Sequence, residues 1–89
     1  MPRFDLLAFH PRFEEHQSEA GRRVVTAVEA LDAWYGKRTM IRDRKGRRGP
    51  YLMLGSTSGG RDITVVVLTT AEEGTWLAYT AWDTKQSDY

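Results

Sequence analysis

Few residues in this chain are suited to acid–base or phosphate chemistry: there are two histidines, at positions 10 and 16, and no cysteine. Cleavage of RNA without a metal requires a base for the 2′-hydroxyl, an acid for the departing oxygen, and fixed positive charge beside the phosphate. Histidine and arginine suit these tasks. His10 and Arg61 are therefore candidate catalytic residues.

The local sequence around His10 and Arg61 supports this choice but leaves alternatives open. His10 precedes Pro11 at the predicted start of a helix, where the dipole favours a neutral ring that can act as a base. It could instead be a helix cap or a surface histidine. Arg61 follows two glycines at the start of a predicted strand, where its rigid guanidinium could bind a phosphate. An exposed ion pair with Asp62 or a turn carboxylate is the competing interpretation.

Basic residues are concentrated between Lys37 and Arg48, where seven lysines and arginines face one acid, Asp43. This segment carries +6 in a chain of net charge +1, so the remainder carries about −5. Such segregation creates a positive field that attracts polyanions, with RNA as the leading candidate and a solvated arginine-rich loop as the alternative. The predicted RNA-binding residues are Arg42, Arg44, Lys45, Arg47, Arg48 and, as a base-stacking surface, Trp82.

The residues required by several other site types are missing. Without cysteine there can be no disulfide or thiolate metal site, and two histidines among scattered acids do not predict a zinc site. The glycines from Gly55 to Gly60 join two predicted strands, unlike a loop that cradles phosphate before a helix. We predict no cofactor and no metal. Neither a secretory signal nor a membrane span is recognisable, which predicts a cytoplasmic protein without membrane partners.

Two helices are predicted to position these residues, over residues 11–20 and 22–35. Phe9, Phe13 and Ala20 share one face of the first, with His16 among them, so His16 is predicted to be a partly buried, hydrogen-bonded core residue. The second helix is predicted to end at Gly36. Its predicted core-facing stripe consists of Val24, Val28, Leu31 and Tyr35, widened by Ala27 and Trp34.

After Gly36 the pattern alternates and predicts strands over residues 39–43, 50–57, 61–70 and 75–82. Short glycine-bearing links predict antiparallel pairing, and the run from Ile63 to Leu68, apolar on both faces, is expected at the centre. The predicted class is α+β: two helices on one face of a roughly four-stranded antiparallel sheet, as one domain over residues 1–89 with a polar tail at 84–89. The residues predicted to be buried include Val28, Leu31, Val65, Val67 and Leu77.

Several segments, taken in order, carry a resemblance to a known family. They are His10-Pro11-Arg12-Phe13, Val24 to Leu31, Tyr51-Leu52-Met53-Leu54-Gly55, Gly60-Arg61-Asp62-Ile63-Thr64-Val65-Val66-Val67 and Tyr79-Thr80-Ala81. Together they resemble the BrnT-like branch of the RelE-superfamily toxins. That branch has a histidine near the first helix, a Gly-Arg pair opening a valine-rich strand, and an arginine on the last strand. Trp82 occupies the position of that last arginine.

This resemblance implies a RelE-like fold and the toxin of a type II toxin–antitoxin system, a metal-independent ribonuclease (mRNA interferase). Tyr79, whose segment shares the resemblance, is through it a third candidate catalytic residue. RNA and a cognate antitoxin protein would be its partners, and a homodimer is a further option. The alternative is a non-catalytic domain that binds nucleic acid or an acidic protein through residues 37–48. These hypotheses differ in whether His10 and Arg61 are expected to converge in one concave site beside the basic segment.

Overall fold

The computed structural model describes residues 3–19, 24–42 and 51–84. The class is α+β, as predicted. The helices and strands in these ranges are β1 (Leu6–Phe9), α1 (Phe13–Glu19), α2 (Ala27–Tyr35), β2 (Arg38–Arg42), β3 (Tyr51–Ser56), β4 (Asp62–Thr69) and β5 (Thr75–Asp83).

The strands form one mixed sheet in the order β1-β5-β4-β3-β2. Strands β2 to β5 pair antiparallel in sequence order, so that Arg42 lies opposite Tyr51 and Tyr51 opposite Val67. β1 is a fifth strand, and it pairs in parallel with β5. The prediction of a four-stranded, wholly antiparallel sheet is therefore wrong. Phe9, which helical spacing places in the first helix, ends β1 instead.

β4 lies at the centre of the sheet, as its apolar composition predicts, and every residue from Ile63 to Val67 is buried. The predicted burial of Val65 and Val67 is confirmed, since both are fully inaccessible and belong to the main core. Leu31 and Leu77 were expected there too but are only partly buried. The core is thus centred on β4, with Leu31 packed against it from α2.

α2 packs against the sheet through a face of small residues and one tryptophan. The buried residues on this face are Ala30, Ala33 and Trp34. The predicted stripe is only partly the buried face: Trp34 is buried and Leu31 packs against the core, but Val28 is 75% exposed, so its predicted burial is wrong. Close approach to β3 explains the choice: a Cβ placed on Gly55 would lie 3.1 Å from the Cβ of Ala33. A bulkier helix face would not fit at this distance.

α2 begins later than predicted because Thr26 caps it. The Thr26 hydroxyl accepts the Glu29 N–H at 3.1 Å, while the Glu29 carboxylate accepts the Thr26 N–H at 3.1 Å. This reciprocal capping box satisfies backbone groups that a helix end leaves unpaired. Residues 24–26 are accordingly not helical, and the predicted start at residue 22 lies outside the described residues. The predicted end before Gly36 is confirmed.

α1 is also shorter than predicted, because residues 11 and 12 form a turn after β1. Phe13 opens the helix and is 2% exposed. The buried Gln17 amide donates to the Ala81 carbonyl at 3.1 Å, and its side-chain oxygen accepts the Val25 N–H at 3.0 Å. Gln17 therefore links α1 to β5 and to the segment that leads into α2. Neither helix in the described ranges has the length and apolarity needed to cross a membrane.

The end of β5 remains bound to the sheet beyond its last residue. The Thr84 N–H donates to the Asp62 carbonyl at 2.9 Å, and the Thr84 and Thr64 hydroxyls lie 2.8 Å apart. Thr84 is the first residue of the predicted polar tail, yet it is partly buried. The rest of that predicted tail, residues 85–89, lies outside the described residues.

Candidate functional site

His10 and Tyr79, two of the three predicted catalytic residues, lie together at the β1 side of the sheet. Their ring centroids are 5.1 Å apart, with the rings 75° from coplanar. His10 directly follows β1, and its N–H donates to the Ala78 carbonyl at 2.9 Å. This backbone hydrogen bond therefore places the His10 imidazole beside Tyr79, the residue that follows Ala78.

An irregularity in β5 gives Tyr79 its position. Val66 pairs with Thr80 and Val67 with Ala78, so Tyr79 is an extra residue with no partner on β4. A β-bulge of this kind bends the strand locally and redirects a side chain. The bulge therefore explains why the Tyr79 side chain contacts both His10 and His16 of α1.

His16, on α1, lies against the same phenol ring, at 4.5 Å between ring centroids. The three residues form what we call the His10–Tyr79–His16 cluster. The prediction of partial burial for His16 is confirmed. The predicted hydrogen bond is not found at its Nε2, which is buried and has no hydrogen-bond partner in the described part of the chain. A buried polar atom without a partner is uncommon in folded proteins and is concentrated at functional sites.

The His10 ring is held in one orientation by the backbone. Its Nδ1 accepts the Arg12 N–H at 3.1 Å, so that nitrogen carries no proton and the neutral ring has its hydrogen on Nε2. This tautomer presents a donor that could bind a phosphoryl oxygen. It suits His10 to stabilising charge, whereas the predicted role as a base would need the Nδ1 lone pair that already accepts a hydrogen bond.

Arg61, the third predicted catalytic residue, joins a different set of contacts. Its Nη1 lies 2.9 Å from both Glu29 carboxylate oxygens and donates to the Val24 carbonyl at 2.9 Å, while its Nε donates to Asp83 at 2.5 Å. The side chain is only 10% exposed. The competing interpretation, an ion pair, therefore describes Arg61, but its partners are Glu29 and Asp83. Asp62 accepts a hydrogen bond from Ser56 instead.

Electrostatics around Arg61 favour the charged forms of these groups. The hydrogen bond to Asp83, followed by that to Glu29, raises the pKa of Arg61 further above its ordinary value. The hydrogen bond from Arg61 is also the main cause that lowers the pKa of Glu29, with the Thr26 hydrogen bonds adding to it. The Arg61–Glu29–Asp83 ion pairs link α2 to the start of β4 and the end of β5. The Arg61 guanidinium is engaged by these carboxylates and is not presented to a phosphate.

The strand register places Arg61 and the His10–Tyr79–His16 cluster at separate ends of the sheet. Residues 42 and 51 are level with Val67, six residues along the chain from Arg61, or roughly 20 Å. His10 is level with the same row but lies beyond β1, four strand spacings from β2, or roughly 19 Å. His10 and Arg61 therefore do not converge in one site, and the basic residues that follow Arg42 lie outside the described residues.

Two of the six predicted RNA-binding residues, Arg42 and Trp82, lie in the described structure. Arg42 is exposed at the end of β2, and Trp82 is partly buried on β5 opposite Thr64. Arg38, a member of the basic segment, is used internally: it donates to the Trp34 and Phe4 carbonyls and lies over the Trp34 ring. The remaining four, Arg44, Lys45, Arg47 and Arg48, lie outside the described residues.

The sequence reasoning did not identify His16 as a site residue, or Glu29 and Asp83 as the partners of Arg61. No sequence signal paired His16 with His10, because helical side chains six positions apart do not share a face. Within the described ranges, no three acid, histidine or cysteine side chains come together as a metal site would require. Comparisons with protein-family models, curated proteins and solved structures gave no match for this chain.

Proposed function

We propose that this chain binds RNA and cleaves it without a metal at the His10–Tyr79–His16 cluster. The observation that carries the proposal is that two imidazoles contact one tyrosine ring, at centroid distances of 5.1 and 4.5 Å. One imidazole is fixed by the backbone with its Nε2–H available, and the other has a buried nitrogen without a hydrogen-bond partner in the described residues.

Each member of the cluster has a distinct role in this proposal. His10 donates from Nε2 to a phosphoryl oxygen as negative charge builds on the phosphate. The proton of the attacking 2′-hydroxyl passes to solvent water, that oxygen attacks phosphorus and the 5′-oxygen leaves. The Tyr79 hydroxyl is the candidate donor to the leaving oxygen, and His16, whose Nε2 is buried, packs against the Tyr79 ring and positions it. Arg61 takes no part, because Glu29 and Asp83 hold it.

Cleavage of a labelled single-stranded RNA by the purified chain tests the proposal, with an oligonucleotide of the same sequence but with 2′-deoxyribose as the matched substrate. We expect cleavage of the RNA alone, unaffected by a chelator, with a 2′,3′-cyclic phosphate on the product. His10→Ala and His16→Ala should each lower the rate by about 10²-fold or more. Val28→Ala, at an exposed position of α2, is the matched control and should cleave normally.

The toxin role follows from the resemblance and is proposed on that basis. Expression of the chain should arrest growth, and expression of the protein encoded beside it should relieve the arrest. His16→Ala, at normal protein levels, should abolish the arrest. Growth arrest that survives the loss of cleavage would separate toxicity from the cluster.

A second candidate is a non-catalytic domain that binds nucleic acid or an acidic protein through the basic segment, residues 37–48. The observation in its favour is that Arg61, a predicted catalytic residue, is held by two carboxylates and lies roughly 20 Å from Tyr51 and its partner Val67. Arg61 is therefore not available for catalysis beside this segment. Wild-type protein that binds RNA without cutting it would support this candidate and refute the ribonuclease.

A further inference from the structure

The cations of the described ranges differ in whether the fold already uses their charge. Four have partners: Arg3 pairs with Asp5, Arg12 with Glu15, and Arg61 with Glu29 and Asp83, while Arg38 donates to two carbonyls. Lys37 and Arg42 are exposed and make no ion pair or hydrogen bond with any part of the chain that the structure describes. Their charges are therefore available to a ligand.

Lys37 and Arg42 lie at the two ends of β2, the strand at the open edge of the sheet. At about 3.3 Å per residue they are roughly 16 Å apart along this edge. Lys37 lines two cavities on either side of the start of β2, of about 630 and 470 Å³. Arg42 directly precedes the stretch of the sequence that holds Arg44, Lys45, Arg47 and Arg48.

An exposed aromatic side chain completes the surface. Tyr35 ends α2, is 61% exposed, and lines the 630 Å³ cavity together with Lys37. No hydrogen bond or ring contact engages it among the described residues. The floor of this cavity includes Trp34, which is fully buried and covered by the Arg38 guanidinium at 4.4 Å. Tyr35 thus presents an exposed ring next to the Lys37 ammonium, above the packed Trp34 and Arg38 side chains.

We propose that the β2 edge, from Tyr35 and Lys37 to Arg42, is a binding track for single-stranded RNA. Tyr35 stacks on a base, Lys37 contacts a phosphate beside that base, and Arg42 contacts a phosphate farther along the strand at the other end of β2. The combination favours nucleic acid over an acidic peptide, because a peptide would use the cations but has no need of an aromatic face. The inference rests on the proposed function only for the choice of RNA as the ligand.

The track is tested by fluorescence anisotropy with a labelled, non-cleavable oligonucleotide of about 12 nucleotides, so that binding is measured independently of cleavage. Replacing both Lys37 and Arg42 by glutamine should lower the slope of log affinity against log salt by about 1.4, since each phosphate contact on a single strand contributes about 0.7. Tyr35→Ala should raise Kd by at least about fivefold, and Tyr35→Phe should restore most of the affinity.

Arg3→Gln is the matched control for charge, because Arg3 is also exposed but pairs with Asp5. It should leave the slope unchanged. A wild-type slope in the Lys37/Arg42 double variant would overturn the track while leaving RNA binding intact. Absence of binding by the wild type would instead remove RNA as the ligand of both proposals. Tighter binding of polyglutamate than of RNA at the same residues would also overturn the track.

Discussion

Replacing Arg61 by alanine distinguishes a structural arginine from a catalytic one. The change removes a guanidinium that is 10% exposed and leaves Glu29, 29% exposed, and Asp83, 40% exposed, without their shared cation. Breaking a fully buried ion pair costs about 3–5 kcal/mol, whereas an exposed pair contributes about 0–1. Since the arginine is buried and the carboxylates are partly hydrated, we expect a loss of about 2–3 kcal/mol.

Thermal and urea unfolding measure this loss directly. For a chain of this length, about 2–3 kcal/mol lowers Tm by roughly 10–20 °C. With a urea m-value of about 1.5 kcal/mol/M, the midpoint should fall by roughly 1.3–2 M. Arg3→Ala removes an exposed ion pair, with side chains 63% and 47% exposed, and should lower Tm by less than about 5 °C.

RNA cleavage measured on the same Arg61→Ala protein, below its Tm, completes the experiment. The rate per folded molecule should stay within about threefold of wild type, because Arg61 lies six residues along the chain from Val67, the residue level with Ala78 beside the His10–Tyr79–His16 cluster. A variant that unfolds at the wild-type temperature but loses cleavage would refute the structural assignment of Arg61 and restore its predicted role at the phosphate.

Three further outcomes are expected from single substitutions. Arg61 lowers the pKa of Glu29, so this ion pair stabilises the fold at pH values above the ordinary Glu29 pKa of about 4.5, and its contribution is lost as the pH falls below that value. Glu29→Gln should therefore flatten the dependence of stability on pH between about pH 3 and 6, measured by urea denaturation. A Cβ on Gly55 would lie 2.9 Å from Met53 Sδ, so Gly55→Ala should cost about 1–3 kcal/mol, whereas Gly59→Ala, with its nearest atom at 3.8 Å, should cost less than about 0.5. Trp34→Ala should cost about 3–5 kcal/mol and Val28→Ala less than about 0.5, and the reverse order in thermal unfolding would contradict the orientation of α2.

The strands of the meander could be predicted because each carries its own signal. Alternation and glycine-bearing links placed β2 to β5 within a residue or two, and the doubly apolar β4 was correctly placed at the centre. β1 lacked such a signal: Leu-Leu-Ala-Phe is too short to show a period, and its extended form depends on pairing with the distant β5.

The orientation of α2 could not be read from hydrophobicity alone. A stripe that includes Val28 is more apolar than a face of alanines, yet close approach to Gly55 selects the alanines.

The candidate site was predicted only in part, because its contacts also depend on how distant segments pack. His10 and Tyr79 meet through a bulge that has no simple sequence signal, and the partners of Arg61 lie 32 and 22 residues away in the chain.

The parallel pairing of β1 with β5 has a consequence for the order of folding. β2 to β5 can form as successive local hairpins, but Leu6 meets Thr75 across 69 positions of the chain. Contacts of such separation form slowly, because a long loop must close before they are made. During synthesis β1 must therefore wait until β5 has left the ribosome. Since His10 reaches Tyr79 only through this docking, the cluster should be the last part of the described fold to assemble, and pulse-labelled hydrogen exchange should protect the β1 amides last.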